Sequence, residues 1–232
     1  MREKPILFSA PMVRAILSGS KSQTRRICNP QPVSVGSLGK RRVYRDEEFK
    51  RAWETIKGTG ECDQDRDCPY GKPGERLWVK ESWRTGARLD AKSPKVIELA
   101  CRDAGYTHGA CCPVRYEADG SYTAWGDRDA ADFGMWGKHR VSIHMPRWAS
   151  RLTLEITGVR VERLQDISRT DAIAEGLDHV SDGGSPWGIV GLAPSWSGDP
   201  RKSYRALWES INGPGSWDAN PWVWVVEFRR IP

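Results

Sequence analysis

At 232 residues the chain is long enough to bury a full core without disulfides or a metal to hold it. Its 38% hydrophobic and 28% charged residues are ordinary for a soluble protein, and no apolar run approaches the roughly 20 residues that a membrane helix needs. The net charge of +6 is unevenly placed, with +8 on residues 1–58 and −2 on residues 59–232; a cationic end suits a polyanionic partner, although a solvated basic surface accounts for the same numbers.

Residues 9–19 read as a helix. Ser9 stands at its cap, Pro11 suits the first turn, and Met12, Val13, Ile16 and Leu17 form one apolar stripe. Gly19 falls where a left-handed C-terminal cap is wanted. Residues 29–40 are a loop rich in Pro, Gly and Ser, and residues 46–57 read as a polar helix around Phe49, Trp53 and Ile56. After a second loop over 58–74, residues 76–83 alternate as a strand behind a Pro73-Gly74-Glu75 turn. Residues 114–117 and 122–125 read as a β-hairpin, with Asp119-Gly120 supplying the positive φ its turn requires. Residues 127–137 read as loop. Strands are expected at 140–145 and 151–164, the second broken near Gly158.

Ser168 opens the next helix with Asp171 three residues on, a capping box with Asp in place of Glu. That helix runs to Glu175 and stops at Gly176. Residues 181–198 are again loop. Asp199-Pro200 then starts the clearest helix, with Tyr204, Leu207, Trp208 and Ile211 on one face and Gly213-Pro214 at its end. Residues 222–231 alternate as a strand, with Trp222, Trp224, Val226 and Phe228 on one side. Short helices among several separated strands predict an α+β, mostly β chain with a small, closed or nearly closed sheet.

The six cysteines (Cys28, Cys62, Cys68, Cys101, Cys111 and Cys112) are irregularly spaced and contain no C-x-x-C pair, so reduced thiols are a simpler reading than a zinc site. No metal and no cofactor is expected. Met1-Arg2-Glu3-Lys4-Pro5 lacks a signal-peptide pattern, and the expected location is cytoplasmic. There is no Walker loop, Rossmann glycine fingerprint, H-E-x-x-H or G-x-S-x-G.

Two places carry candidate chemistry. Gly19-x-Lys21-x-x-Thr24-x-Arg26 presents an amine, a hydroxyl and a guanidinium within six residues, and Thr24 and Arg26 share a face if the segment is extended. Locally, an exposed basic loop explains it as well. Glu175 lies in the last turn of its helix, at the negative end of the macrodipole, a position that favours a carboxyl able to act as an acid. A single solvated surface glutamate is the bland alternative.

Taken together, several stretches resemble ASCH-domain proteins, a PUA-like group often found in phages and prophages. They are Pro5-Ile6-Leu7-Phe8 through Arg26, Pro73-Gly74-Glu75-Arg76-Leu77-Trp78-Val79-Lys80-Glu81, His144 to Arg151, Asp171 to Gly176, and Trp217 to Phe228, in the family's order. The resemblance implies one PUA-like domain over residues 1–232: a small β-barrel flanked by short helices, with a cleft beside the first helix and insertions, including a hairpin, at about 28–73 and 85–138. Within the group, the small bacterial N(4)-acetylcytidine amidohydrolases are similar at Gly19, Lys21, Thr24 and Arg26, at Gly74, Glu75 and Leu77, at Glu175 beyond Leu154-Glu155-Ile156-Thr157, and at Val225-Val226-Glu227-Phe228.

That likeness implies Lys21 as proton acceptor, Thr24 as nucleophile and Glu175 as proton donor, with Arg26, Gly19, Arg25 and Trp78 around the substrate. A nucleoside or RNA is then the expected partner, with no membrane involved. The chain departs from the minimal enzymes in being about twice as long and in carrying Ile27 where they have an acidic residue. For the chemistry to run, Lys21 must be neutral, and burial beside Arg25 and Arg26 is the means of lowering its pKa. A non-catalytic RNA or modified-nucleotide binding module is the alternative, with Trp187 and Trp196 better placed to stack than Trp78, Trp83 or Trp148. A ribonuclease in which Lys21 meets a phosphate is a third reading.

Overall fold

The computed structural model describes residues 3–29, 31, 68–103, 112–123, 135–179, 187–188 and 197–231. The helix expected at 46–57, Cys62, Cys111, Trp125, Trp196 and most of the four expected loops lie outside them. The described residues are α+β, with more strands than helices. The elements begin with β1 (Glu3–Leu7), α1 (Ala10–Ser18), β2 (Gln23–Ile27), β3 (Arg76–Lys80), β4 (Trp83–Arg84), α2 (Pro94–Asp103), β5 (Val114–Tyr116) and β6 (Tyr122–Thr123). They continue with β7 (Thr153–Arg163), α3 (Arg169–Ala174), β8 (Asp178–His179), β9 (Trp187–Gly188), α4 (Pro200–Asn212) and β10 (Trp222–Ile231). Two compact units result: Met1–Gly19 with Glu75–Glu155 and Arg230–Pro232, and Ser20–Gly74 with Ile156–Arg229.

In the first unit β1 pairs parallel with β3, and β3 pairs antiparallel with the start of β7. Pro11 opens α1, and Gly19, at φ 84°, closes it with its N–H on the Ile16 carbonyl. Ser9 has the extended backbone of a cap but no side-chain cap bond. Arg14 Nη1 donates to the Ala118 carbonyl at 2.7 Å, tying α1 to the hairpin. The strand expected over 76–83 divides in two because Glu81 turns inward. Its carboxylate is buried, and Arg151 Nε and Nη2 donate to its two oxygens at 2.9 Å each.

A second sheet, β4-β5-β6, packs its inner face into a core of Trp83, Ile97, Cys101, Cys112, Val114, Tyr116, Met145 and Ala149. Gly120 has the expected positive φ, 75°, but the connection runs from Glu117 to Ser121, longer than an Asp-Gly two-residue turn. No strand forms over 140–145. Arg140 pairs with Trp83 alone, and Ser142–His144 make a 3-10 turn. The chain turns there because Lys80 Nζ holds the Ile143 carbonyl and Met145 enters the core, its sulfur accepting from the Glu81 N–H.

In the second unit the remainder of β7, β10 and β2 are neighbours in that order, and β10 pairs antiparallel with β2 from Val223↔Ile27 to Glu227↔Gln23. β7 runs unbroken through Gly158. A Cβ there would lie 2.6 Å from Glu227 Oε2, so the glycine clears a crossing carboxylate instead of ending the strand. Trp222 through Val226 are all buried, so both faces of β10 are covered and one-sided alternation is absent. Asp199 caps α4 through the Arg201 N–H. Tyr204, Leu207 and Trp208 are buried, whereas Ile211 is 53% exposed and leaves the expected stripe. Among the described residues these ladders do not return on themselves to close a barrel. Among the described residues no helix is long and apolar enough to cross a membrane.

Candidate active site

Residues 21–23 run along the end of α3. Lys21 and Glu175 form an isolated antiparallel bridge, the Ser22 N–H donates to the Ala174 carbonyl at 2.9 Å, and Gln23 Nε2 donates to the Asp171 carbonyl at 2.8 Å. On the other side, the Phe228 N–H donates to the Ser22 carbonyl. α3 is placed by its own sequence signals: Ser168 Oγ accepts the Asp171 N–H at 3.0 Å, and Gly176, at φ 98°, follows Glu175.

Lys21 Nζ sits with no exposed side-chain surface, 2.9 Å from Glu175 Oε2 and 2.7 Å from the Glu175 carbonyl. One amine therefore meets both a carboxylate and the negative end of α3. Arg25 reaches the other oxygen, Nη1 to Glu175 Oε1 at 3.1 Å. The rest of its guanidinium is taken by Glu162 Oε1, at 2.9 Å from Nε and 2.5 Å from Nη2, and by Asp171 Oδ2 at 3.3 Å. Arg160 extends the network to Glu162 and Asp171, at 3.1 Å each, and to Glu227. Arg25 Cζ also lies 5.9 Å from the centre of the Tyr204 ring.

The electrostatics follow from this burial. Desolvation is the main cause that lowers the Lys21 pKa. Glu175 opposes it, and Arg26 and Arg25 act with it. The Tyr204 phenol is raised well above its ordinary range, chiefly by burial and then by Glu175, so it stays a neutral hydroxyl. Burial works against the Asp171 carboxylate, but Ser168, Arg160 and Arg25 outweigh it and hold the group below its usual value.

Lys21, Arg25 and Glu175 thus meet in one buried cluster. Thr24 is buried too, opposite Val226 in the ladder. Strand alternation sets Thr24 and Arg26 on one face of β2, and Gln23 and Arg25 on the face toward α3. Arg26 is close enough to act electrostatically on Lys21 and on Tyr70. Gly19 and Trp78 belong to the first unit. Gly19 caps α1, and Trp78 is half-buried in β3 with Lys80 Nζ 5.6 Å from its ring.

Gln23, Arg160 and Glu162 join the cluster without having stood out in the chain, whereas Asp171 had stood out only as a capping residue and Tyr204 only on the apolar face of its helix. The available signal was an unbroken polar row, Lys21, Gln23, Arg25, at a spacing of two, matched by Arg160 and Glu162 at the same spacing in β7, which β10 separates from β2. Among the described residues no group of three or more His, Cys, Asp or Glu is placed to hold a metal. The cluster can pass a proton between an amine and a carboxyl, with arginines fixing the carboxyl. Compared with known proteins, the chain matches no family model, no curated protein and no solved structure.

Proposed function

We propose that the chain is an amidohydrolase acting on an N(4)-acylated cytidine nucleoside or a related modified base, on a PUA-like, ASCH-type architecture in the cytoplasm. The observation that carries this reading is the buried contact of Lys21 Nζ with Glu175 Oε2 at 2.9 Å, between side chains 154 positions apart. An amine whose pKa is lowered by burial accepts protons at neutral pH more readily than a free lysine.

In the proposed reaction the Thr24 hydroxyl oxygen bonds to the acyl carbon and its proton reaches Lys21 through water, Thr24 lying on the face of β2 away from α3. Arg26 or a backbone N–H holds the oxyanion. The carbon–nitrogen bond then breaks, Lys21 passes the proton to Glu175, and the leaving cytosine amine takes it from that carboxyl, so that both groups end as they began. Water hydrolyses the resulting threonyl ester, releasing the carboxylic acid and restoring the hydroxyl. Arg25 acts here as a positioning residue, because its enclosed guanidinium is occupied by three carboxylates. The nucleophilic part given to Thr24 rests on the sequence resemblance, and its variants test it separately.

The experiment is chromatographic detection of cytidine released from N(4)-acetylcytidine. Lys21→Ala and Glu175→Gln are expected to lose about 100-fold or more of the wild-type rate. An inert wild type overturns the assignment. If Thr24→Ala keeps the rate while Lys21→Ala is dead, the nucleophile is water.

A further inference from the structure

The β4-β5-β6 sheet of the first unit has an outer face whose composition calls for a partner. Its register sets Arg84 directly opposite Arg115, and Arg115 directly opposite Tyr122. Trp83, Val114 and Tyr116 point the other way, into the core. Like charges directly opposed across strands are destabilising unless something offsets them. For Arg84 the offset is present: Nε donates to Glu117 Oε1 at 2.8 Å and Nη1 to the Gly137 carbonyl at 2.9 Å.

Arg115 has no carboxylate partner among the described residues, and its Nε is buried without a hydrogen bond. The acidic groups of its own hairpin are committed elsewhere: Glu117 to Arg84, and Asp119 to Arg151 and Ser121. Arg115 is half-buried, and Arg88, which is exposed, follows Ala87, whose N–H donates to the Met135 carbonyl.

Beside this cation stand two rings. Tyr122 is 59% exposed, and its ring centre lies 5.7 Å from that of Trp136. The Trp136 backbone is fixed by a bridge to Gly86 and by the Gly137 N–H on the Thr85 carbonyl. We propose that this face binds single-stranded nucleic acid, with Tyr122 and Trp136 stacking on bases and Arg115 meeting a phosphate. A cation beside an exposed tyrosine ring and a partly exposed tryptophan ring matches a strand whose bases are unpaired. A duplex hides its base faces, and an acidic peptide answers Arg115 but not the rings. The inference does not depend on the amidohydrolase reading.

The test is fluorescence anisotropy of the whole chain with a short labelled single-stranded RNA, a DNA of the same sequence, the corresponding duplex and poly-glutamate. Binding to a single strand in preference to the other two is expected. Tyr122→Ala and Trp136→Ala each weaken it by about tenfold. Arg115→Gln weakens it and lowers the salt dependence by about one released counterion. Tyr122 is a surface side chain, so its variant folds, and circular dichroism checks the other two. Binding of RNA alone, DNA alone or both supports the site and names the polymer. The proposal is overturned if the wild type does not bind, if the folded variants bind like wild type, or if poly-glutamate or duplex binds equally well. Lys21→Ala binds the strand as wild type does, whatever its effect on turnover.

Discussion

Arg25 Nη1 lies 3.1 Å from Glu175 Oε1 while the same guanidinium holds Glu162 and Asp171, so one enclosed side chain ties β2 to β7 and to α3. A charge in this position is a fixture of the fold as well as of the cluster. Removing it leaves three carboxylates facing one another with little water to screen them.

Arg25→Met is therefore expected to cost about 3–5 kcal/mol in urea unfolding. Arg25→Lys keeps the charge but loses the planar fork, so it recovers only part of that loss. Equal stability of wild type and Arg25→Met contradicts the account.

Lys21 ties stability to alkaline pH. Its pKa is lowered mainly by burial, with Glu175 opposing and Arg26 and Arg25 assisting. Between the lowered folded value and the ordinary 10.5, the unfolded chain holds a proton that the folded chain does not. Stability attributable to this group therefore rises with pH through that window, reaches its full value above 10.5, and is lost as pH falls through the folded value. Urea titrations at stepped alkaline pH are expected to show this rise in wild type and to lack it in Lys21→Met. Identical slopes in the two proteins contradict it.

Gly158 marks the crossing of β7 by the Glu227 side chain. Gly158→Ala pushes the flexible end of that side chain aside and disturbs its pairing with Arg160, at a cost of about 1 kcal/mol. In a Glu227→Ala background the same alanine is expected to be tolerated. A double-mutant cycle reads the coupling, and additive effects argue against the contact.

Ser168 holds the first turn of α3 through its oxygen. Ser168→Ala is expected to lower stability by about 1 kcal/mol, and Ser168→Asp to retain most of it, by thermal or urea unfolding.

What the chain reveals of itself follows from the range of the forces involved. α1, α3 and α4 are legible because their boundaries are local: Pro11 and Gly19, Ser168 and Gly176, Asp199 and Gly213 act within a turn of where they stand. β7 was expected to break at Gly158 because a glycine in a strand carries no mark of what crosses it. The division of the 76–83 strand was hidden for a similar reason, since Glu81 turns inward for an arginine 70 positions away. Lys21 and Glu175 drew notice through their own stretches, a polar segment behind a helix cap and a carboxyl at a helix end, as well as through a family resemblance, whereas Arg160 and Glu162 did not. The partners of Arg25 lie 137 to 150 positions off, and no periodicity records such a distance.

α3 is six residues long, too short to persist unsupported, and the segment entering β2 steadies it through the Ser22 and Gln23 bonds. Whenever those bonds release, water floods the lysine and its proton affinity returns to that of an ordinary surface amine. Breathing of a single helical turn is thus also an electrical event. Amide exchange at Ser22 and the titration of one ammonium group should keep the same clock.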